Sequence, residues 1–199
     1  MKMSHTLAAG ATLALTLAAA PASAVTFVYQ AILTGPSESP PNTSFGIGVA
    51  LVTIDDVLKT MHVQTTFAGL TGAVAASHLH CCTPTPLTGT AGVATVTPTF
   101  TGFPLGTTFG SYDFTFDMML PSSYNPAYVT ANGGTTASAF LALSSGIAAG
   151  RSYFNIHTST FGGGEIRGFL TAVPEPGSSA LMLAGLAGLG WVARKRQRA

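Results

Sequence analysis

The sequence predicts an all-β fold, an antiparallel Greek-key-like sandwich with one short helix, flanked by an N-terminal signal peptide and a C-terminal transmembrane helix. Three observations predict it. Apolar and polar residues alternate with a period of two in several short runs, the pattern of half-buried strands. Gly, Pro and Asp clusters punctuate those runs at the intervals expected of a sandwich. Charged residues make up only 8% of the chain, while Thr, Ser, Gly and Ala abound, which suits a secreted β-protein better than a cytosolic helical one.

Residues 25–33 read as the first strand, ended by Thr34-Gly35-Pro36 and followed by the proline-rich loop 37–42. Residues 46–54 alternate, with Ile47, Val49 and Leu51 on one face and mostly small residues on the other. Asp55-Asp56 marks a turn. Met61, Val63 and Phe67 then share one side of a strand whose other side is Thr60, His62, Gln64 and Thr66. A turn at 69–72 precedes a strand over 74–80. The stretch 83–110 is rich in Thr, Pro and Gly, with short strands predicted at 93–96 and near Phe109. Phe114, Phe116 and Met118 oppose Asp113, Thr115 and Asp117. Residues 136–149 form the one predicted helix, stopped by Gly150. A hairpin over 153–158 and 165–171 turns at Gly162-Gly163-Gly164.

The two ends are of another kind. Lys2 and His5 precede an apolar run over residues 7–20 and then Pro21-Ala22-Ser23-Ala24, a secretory signal peptide over 1–24 with cleavage between Ala24 and Val25. The run is short for a transmembrane helix. At the other end, residues 173–199 carry Pro174-Glu175-Pro176, an apolar helix over 178–193 and a basic tail over 194–199. Sixteen helical residues rise about 24 Å, just short of a hydrocarbon core of about 30 Å. The arginines and lysine stop transfer and keep the tail cytoplasmic. Such a span suits a temporary anchor. Between the ends, residues 25–172 make one domain with room for a core. Three cations (Lys59, Arg151, Arg167) face six carboxylates (Glu38, Asp55, Asp56, Asp113, Asp117, Glu165) there, so nucleic acid is excluded as a partner.

A Pro-Glu-Pro breaker, a short apolar span and a basic stop resemble the PEP-CTERM sorting signal of Gram-negative bacteria. The resemblance implies export by the Sec machinery, transient insertion in the inner membrane, and removal of the tail by an exosortase-type membrane protease. The expected destination is the cell surface or the extracellular matrix, with a surface or matrix polymer as a further partner.

Phe67-Ala-Gly-Leu-Thr-Gly72 leading into Ala76-Ser-His-Leu-His80, then Tyr153-Phe-Asn-Ile-His-Thr158 and Gly163-Gly-Glu-Ile-Arg-Gly168, together resemble the CHRD domain. Gln30-Ala-Ile-Leu-Thr-Gly and Pro40-Pro41 fit as well, while Cys81-Cys82 replaces the family's usual Gly-Pro. The resemblance implies a binding or structural module without enzymatic activity. The residues agree: there is no Gly-x-Ser-x-Gly elbow and no nucleophile paired with a base.

His78 and His80 sit at i and i+2 and project from one strand face, and His157 comes from the late hairpin. Three imidazoles converging from two strands suit copper or zinc. The layout is similar to the copper side of Cu/Zn superoxide dismutases, although the bridging His, the zinc-ligand His cluster and the zinc-ligand Asp of that family have no match. The alternative function is therefore a secreted copper- or zinc-binding protein with a dismutase-like sandwich. Without metal, the same histidines would hydrogen-bond across the hairpin and to loop carbonyls. Cys81 and Cys82 are the only cysteines. They admit a vicinal disulfide, soft ligation beside His78 and His80, or pairing between molecules, the first favoured in an oxidising compartment. Asp113 and Asp117 read as a solvated strand face, and Glu165 with Arg167 as a surface ion pair at i and i+2.

Overall fold

The computed structural model describes residues 26–174, 183–187 and 194. The predicted signal peptide, its cleavage site at Ala24 and Val25, Glu175 and Pro176 of the sorting motif, and most of the apolar helix lie outside the described residues. Among those described, no helix is long and apolar enough to cross a membrane.

The domain is mostly β and wholly antiparallel in its strand pairs. Its strands are β1 (Thr26–Thr34), β2 (Ile47–Asp55), β3 (Thr60–Ala68), β4 (Val74–Cys81), β5 (Gly110–Asp117), β6 (Ser152–Thr158), β7 (Ile166–Phe169) and β8 (Thr171–Ala172). They form one sheet in the order β4-β6-β7-β1-β2-β3-β5, with β8 on β1. The predicted two-sheet sandwich is thus a single curled sheet. The two walls join at β1, which pairs with Arg167 of β7 through Thr34 and with β8 through Tyr29 and Gln30. Leu170, fully buried between β7 and β8, marks the bend.

Alternation places the core as expected in β3, where Met61, Val63 and Phe67 are buried. In β2 the small face turns inward: Ala50, Val52 and Ile54 are buried, while Ile47 and Val49 are 55% and 36% exposed. The reason is steric, because a Cβ on Gly48 would already lie 3.1 Å from Leu33 and 3.2 Å from Phe67. In β5, Tyr112 joins Phe116 in the core and Phe114 is 38% exposed at the rim.

The predicted strand at 93–96 forms only isolated bridges, from Val93 to His80 and from Thr95 to Tyr124. This segment nevertheless covers the free edge of β4, with Ala94 N–H on Leu79 O and Phe100 N–H on Ser77 O. Phe100 then plugs the space between the walls, its ring centroid 5.3 Å from Phe116 and 5.7 Å from Phe154. Burying such aromatic clusters away from water is the main stabilising contribution here.

Two helices precede β6. The predicted one is α2 (Thr136–Ala148), begun by a capping box between Thr135 and Ser138 and followed by Gly150 at φ +66°. A shorter helix, α1 (Pro126–Ala131), is an addition to the prediction: Asn125 caps it by accepting from Ala127 N–H, and Pro126 starts it. Phe140, Leu143 and Ile147 of α2 enter the core. Gly146 rests on the sulfurs of Cys81 and Cys82, where any Cβ would come within 2.3 Å of Cys82 Sγ.

Candidate metal centre

Strand alternation brings His78 and His80 to one face of β4, and antiparallel pairing supplies the third imidazole. Ala76 is the register partner of His157, and His78 of Asn155, so His157 lies diagonally across from His78. Ring centroids are 5.7 Å apart for His78 and His80, 5.1 Å for His78 and His157, and 6.0 Å for His80 and His157. One nitrogen from each ring lies within 4.8 Å of the other two. A shared ion at about 2.1 Å from each would put them no more than about 4.2 Å apart, so a shift of under about 1 Å closes the set.

Loop carbonyls fix every ring. His78 Nε2 donates to Pro98 O at 2.6 Å, His80 Nδ1 to Ala91 O at 2.9 Å, and His157 Nδ1 to Gly162 O at 2.9 Å. A carbonyl can only accept, so each bonded nitrogen carries the proton and the other holds a lone pair. Those others, His78 Nδ1, His80 Nε2 and His157 Nε2, are buried and have no hydrogen-bond partner. Burial holds the pKa of His78 and His157 below the usual histidine range and pushes His80 down to about 4. The rings are therefore neutral at pH 7, with the tautomer set by an outer partner, which is the form in which imidazole binds a metal.

The surroundings are rigid. Tyr153 stacks on His80 at 4.7 Å with an interplanar angle of 6°, and its hydroxyl donates to Ala91 O, the same carbonyl that holds His80. The Arg167 guanidinium lies 4.7 Å from the centre of the Tyr153 ring. Arg167 pairs with Glu38 at 3.8 Å, and Asn155 Nδ2 donates to Glu38 Oε1 at 2.8 Å. Burial raises the Glu38 pKa to about 7 against the pull of Arg167.

Other predicted residues fall elsewhere. Cys81 and Cys82 are joined to each other in a disulfide and sit beneath α2, apart from the three-histidine set. Asp113 and Asp117 do not act as a pair: Asp113 accepts from His62 Nε2 and Gln64 Nε2, while Asp117 Oδ1 accepts from Met119 N–H. The predicted ion pair of Glu165 with Arg167 is not formed, since Glu165 is fully buried. Its carboxylate accepts from Ser44 Oγ, Thr71 N–H, Gly72 N–H and Thr158 Oγ1. Burial works to raise the Glu165 pKa, but these hydrogen bonds hold it below the usual carboxylate range. Sequence reasoning missed Tyr153, Asn155 and Glu38. The first two were legible as positions i−4 and i−2 from His157 on the same strand face; Glu38, in a loop, gave no signal.

Fold and site together define a curled antiparallel β-domain with a clustered trio of neutral histidines. The chain belongs to the CHRD domain family, whose model matches residues 29–170. Residues 172–197 match the PEP-CTERM protein-sorting motif. The chain is thus an exported protein sorted by exosortase-type machinery, with the surface association of Gram-negative bacteria that this motif implies. No curated protein and no solved structure gives a match.

Proposed function

We propose that the sorted CHRD domain is a non-enzymatic binding module that holds one copper or zinc ion at the cell surface or in the extracellular matrix, through His78 Nδ1, His80 Nε2 and His157 Nε2. One observation carries the reading: three neighbouring, buried imidazole nitrogens are left without partners while a backbone carbonyl holds the opposite side of each ring. Three neutral imidazoles suit both metals, and the bound ion supplies a Lewis-acidic centre with room for a further ligand. The chain's own work is to orient the rings, exclude competing protons and keep the site dry on one side. The disulfide of Cys81 and Cys82 leaves the ligand set to histidine alone.

Elemental analysis of the mature protein, purified without chelators, tests the proposal against a His80→Ala variant. We expect close to one copper or zinc per wild-type chain and a loss of at least tenfold in the variant. Metal-free protein in both, after incubation with either ion, overturns it.

A further inference from the structure

Five buried side-chain atoms lack a hydrogen-bond partner among the described residues: His78 Nδ1, His80 Nε2, His157 Nε2, Asn155 Oδ1 and Ser144 Oγ. The first four come from one face of β4 and β6. Asn155 is the direct register partner of His78 and lies two residues before His157. We infer that Asn155 Oδ1 belongs to the metal centre and accepts a hydrogen bond from the water or hydroxide that fills the coordination position the three imidazoles leave open. This rests on the metal reading above and deepens it.

The argument is one of matching donors to acceptors. Asn155 cannot turn its amide round, because Nδ2 donates to Glu38 Oε1 at 2.8 Å, and Glu38 is itself held beside Arg167. Gly164 closes over this contact, since a Cβ there would lie 2.5 Å from Asn155 Nδ2 and 2.6 Å from Glu38 Oε1. Oδ1 is thereby committed as an acceptor, in a residue only 2% exposed. The three unpartnered ring nitrogens are acceptors too, so none of the four can satisfy another. Nearby hydroxyls are already used: Tyr153 on Ala91 O, and Ser77 on Asn155 O. What satisfies these four lone pairs is a cation for the imidazoles together with a proton donor for the amide. A metal ion carrying one water supplies both.

Full-length protein loaded with Cu(II) tests this, with azide as a competitor that replaces the bound water and offers no proton. Azide affinity is read from its charge-transfer band in wild type, Asn155→Leu and Asn155→Asp. Removing the acceptor weakens the hold on water, so Asn155→Leu should bind azide roughly five- to tenfold more tightly than wild type. Asn155→Asp keeps an acceptor and adds negative charge, so it should bind azide more weakly than wild type. Equal azide affinity in wild type and either correctly folded, copper-loaded variant overturns the inference. If Asn155→Leu fails to fold, the order of Asp against Asn decides alone. Failure of the wild type to take up copper or zinc overturns the metal reading itself, whereas normal uptake with unchanged azide binding removes only the role of Asn155.

Discussion

Two buried polar clusters sit within one hairpin of each other, and they are built on opposite terms. Around Glu165, four donors from Ser44, Thr71, Gly72 and Thr158 meet one carboxylate, and nothing is left over. Around His157, three ring nitrogens and the Asn155 amide oxygen meet no donor at all. Both clusters are buried, so burial does not distinguish them. The balance of donors and acceptors does. A closed account is how a fold ties its loops, here the 69–72 turn to the β6–β7 hairpin. An open one marks a place made for something else.

The largest effect should come from breaking the closed cluster. Glu165→Ala leaves four donors facing a cavity and should cost about 3–5 kcal/mol in urea unfolding. A loss below about 1 kcal/mol would mean the cluster is not structural.

The second test uses pH. Glu38 has its folded pKa raised to about 7 from an ordinary value of 4.5, so its contribution is present below pH 4.5 and lost as pH rises to 7. His80 has its folded pKa depressed to about 4, so its neutral form costs stability as pH falls from 6.5 towards 4. The two slopes oppose each other in the metal-free wild type. Glu38→Gln should expose the histidine slope, with stability rising on the order of 2 kcal/mol between pH 4 and 6.5. A flat profile in that variant would show that the imidazoles are solvated rather than buried.

The smallest effect sharpens the contrast. His80→Leu in metal-free protein removes an unpartnered acceptor along with one bond to Ala91, so stability at pH 7 should change by less than about 1 kcal/mol. A loss comparable to that of Glu165→Ala would place His80 among the structural ties and count against the open cluster.

Local patterns carried much of this architecture in plain view. The face of β3 was readable because one side of it is solvent, and α2 because Thr135 and Gly150 bracket it. The His-x-His alternation was readable for the same period-two reason. What could not be read was register: the pairing of Ala76 with His157 spans a long intervening chain, and no local signal sets it. The carbonyls of Ala91, Pro98 and Gly162 have no side-chain signature either. Glu165 looked like a surface charge because three of its four donors, on Ser44, Thr71 and Gly72, come from loops distant in sequence. The helix α1 went unpredicted because six residues are too few to show a helical periodicity. Which face of β2 turns inward was not legible from residue size, since Gly48 must admit Leu33 and Phe67 on the buried side.

The last ladder contact of the domain is Val173 N–H on Val28 O, and the next residue, Pro174, opens the sorting motif. Since β8 lies on β1, the middle strand of the sheet order, the chain leaves the domain beside the centre of the sheet and not from β4 or β5 at its two ends.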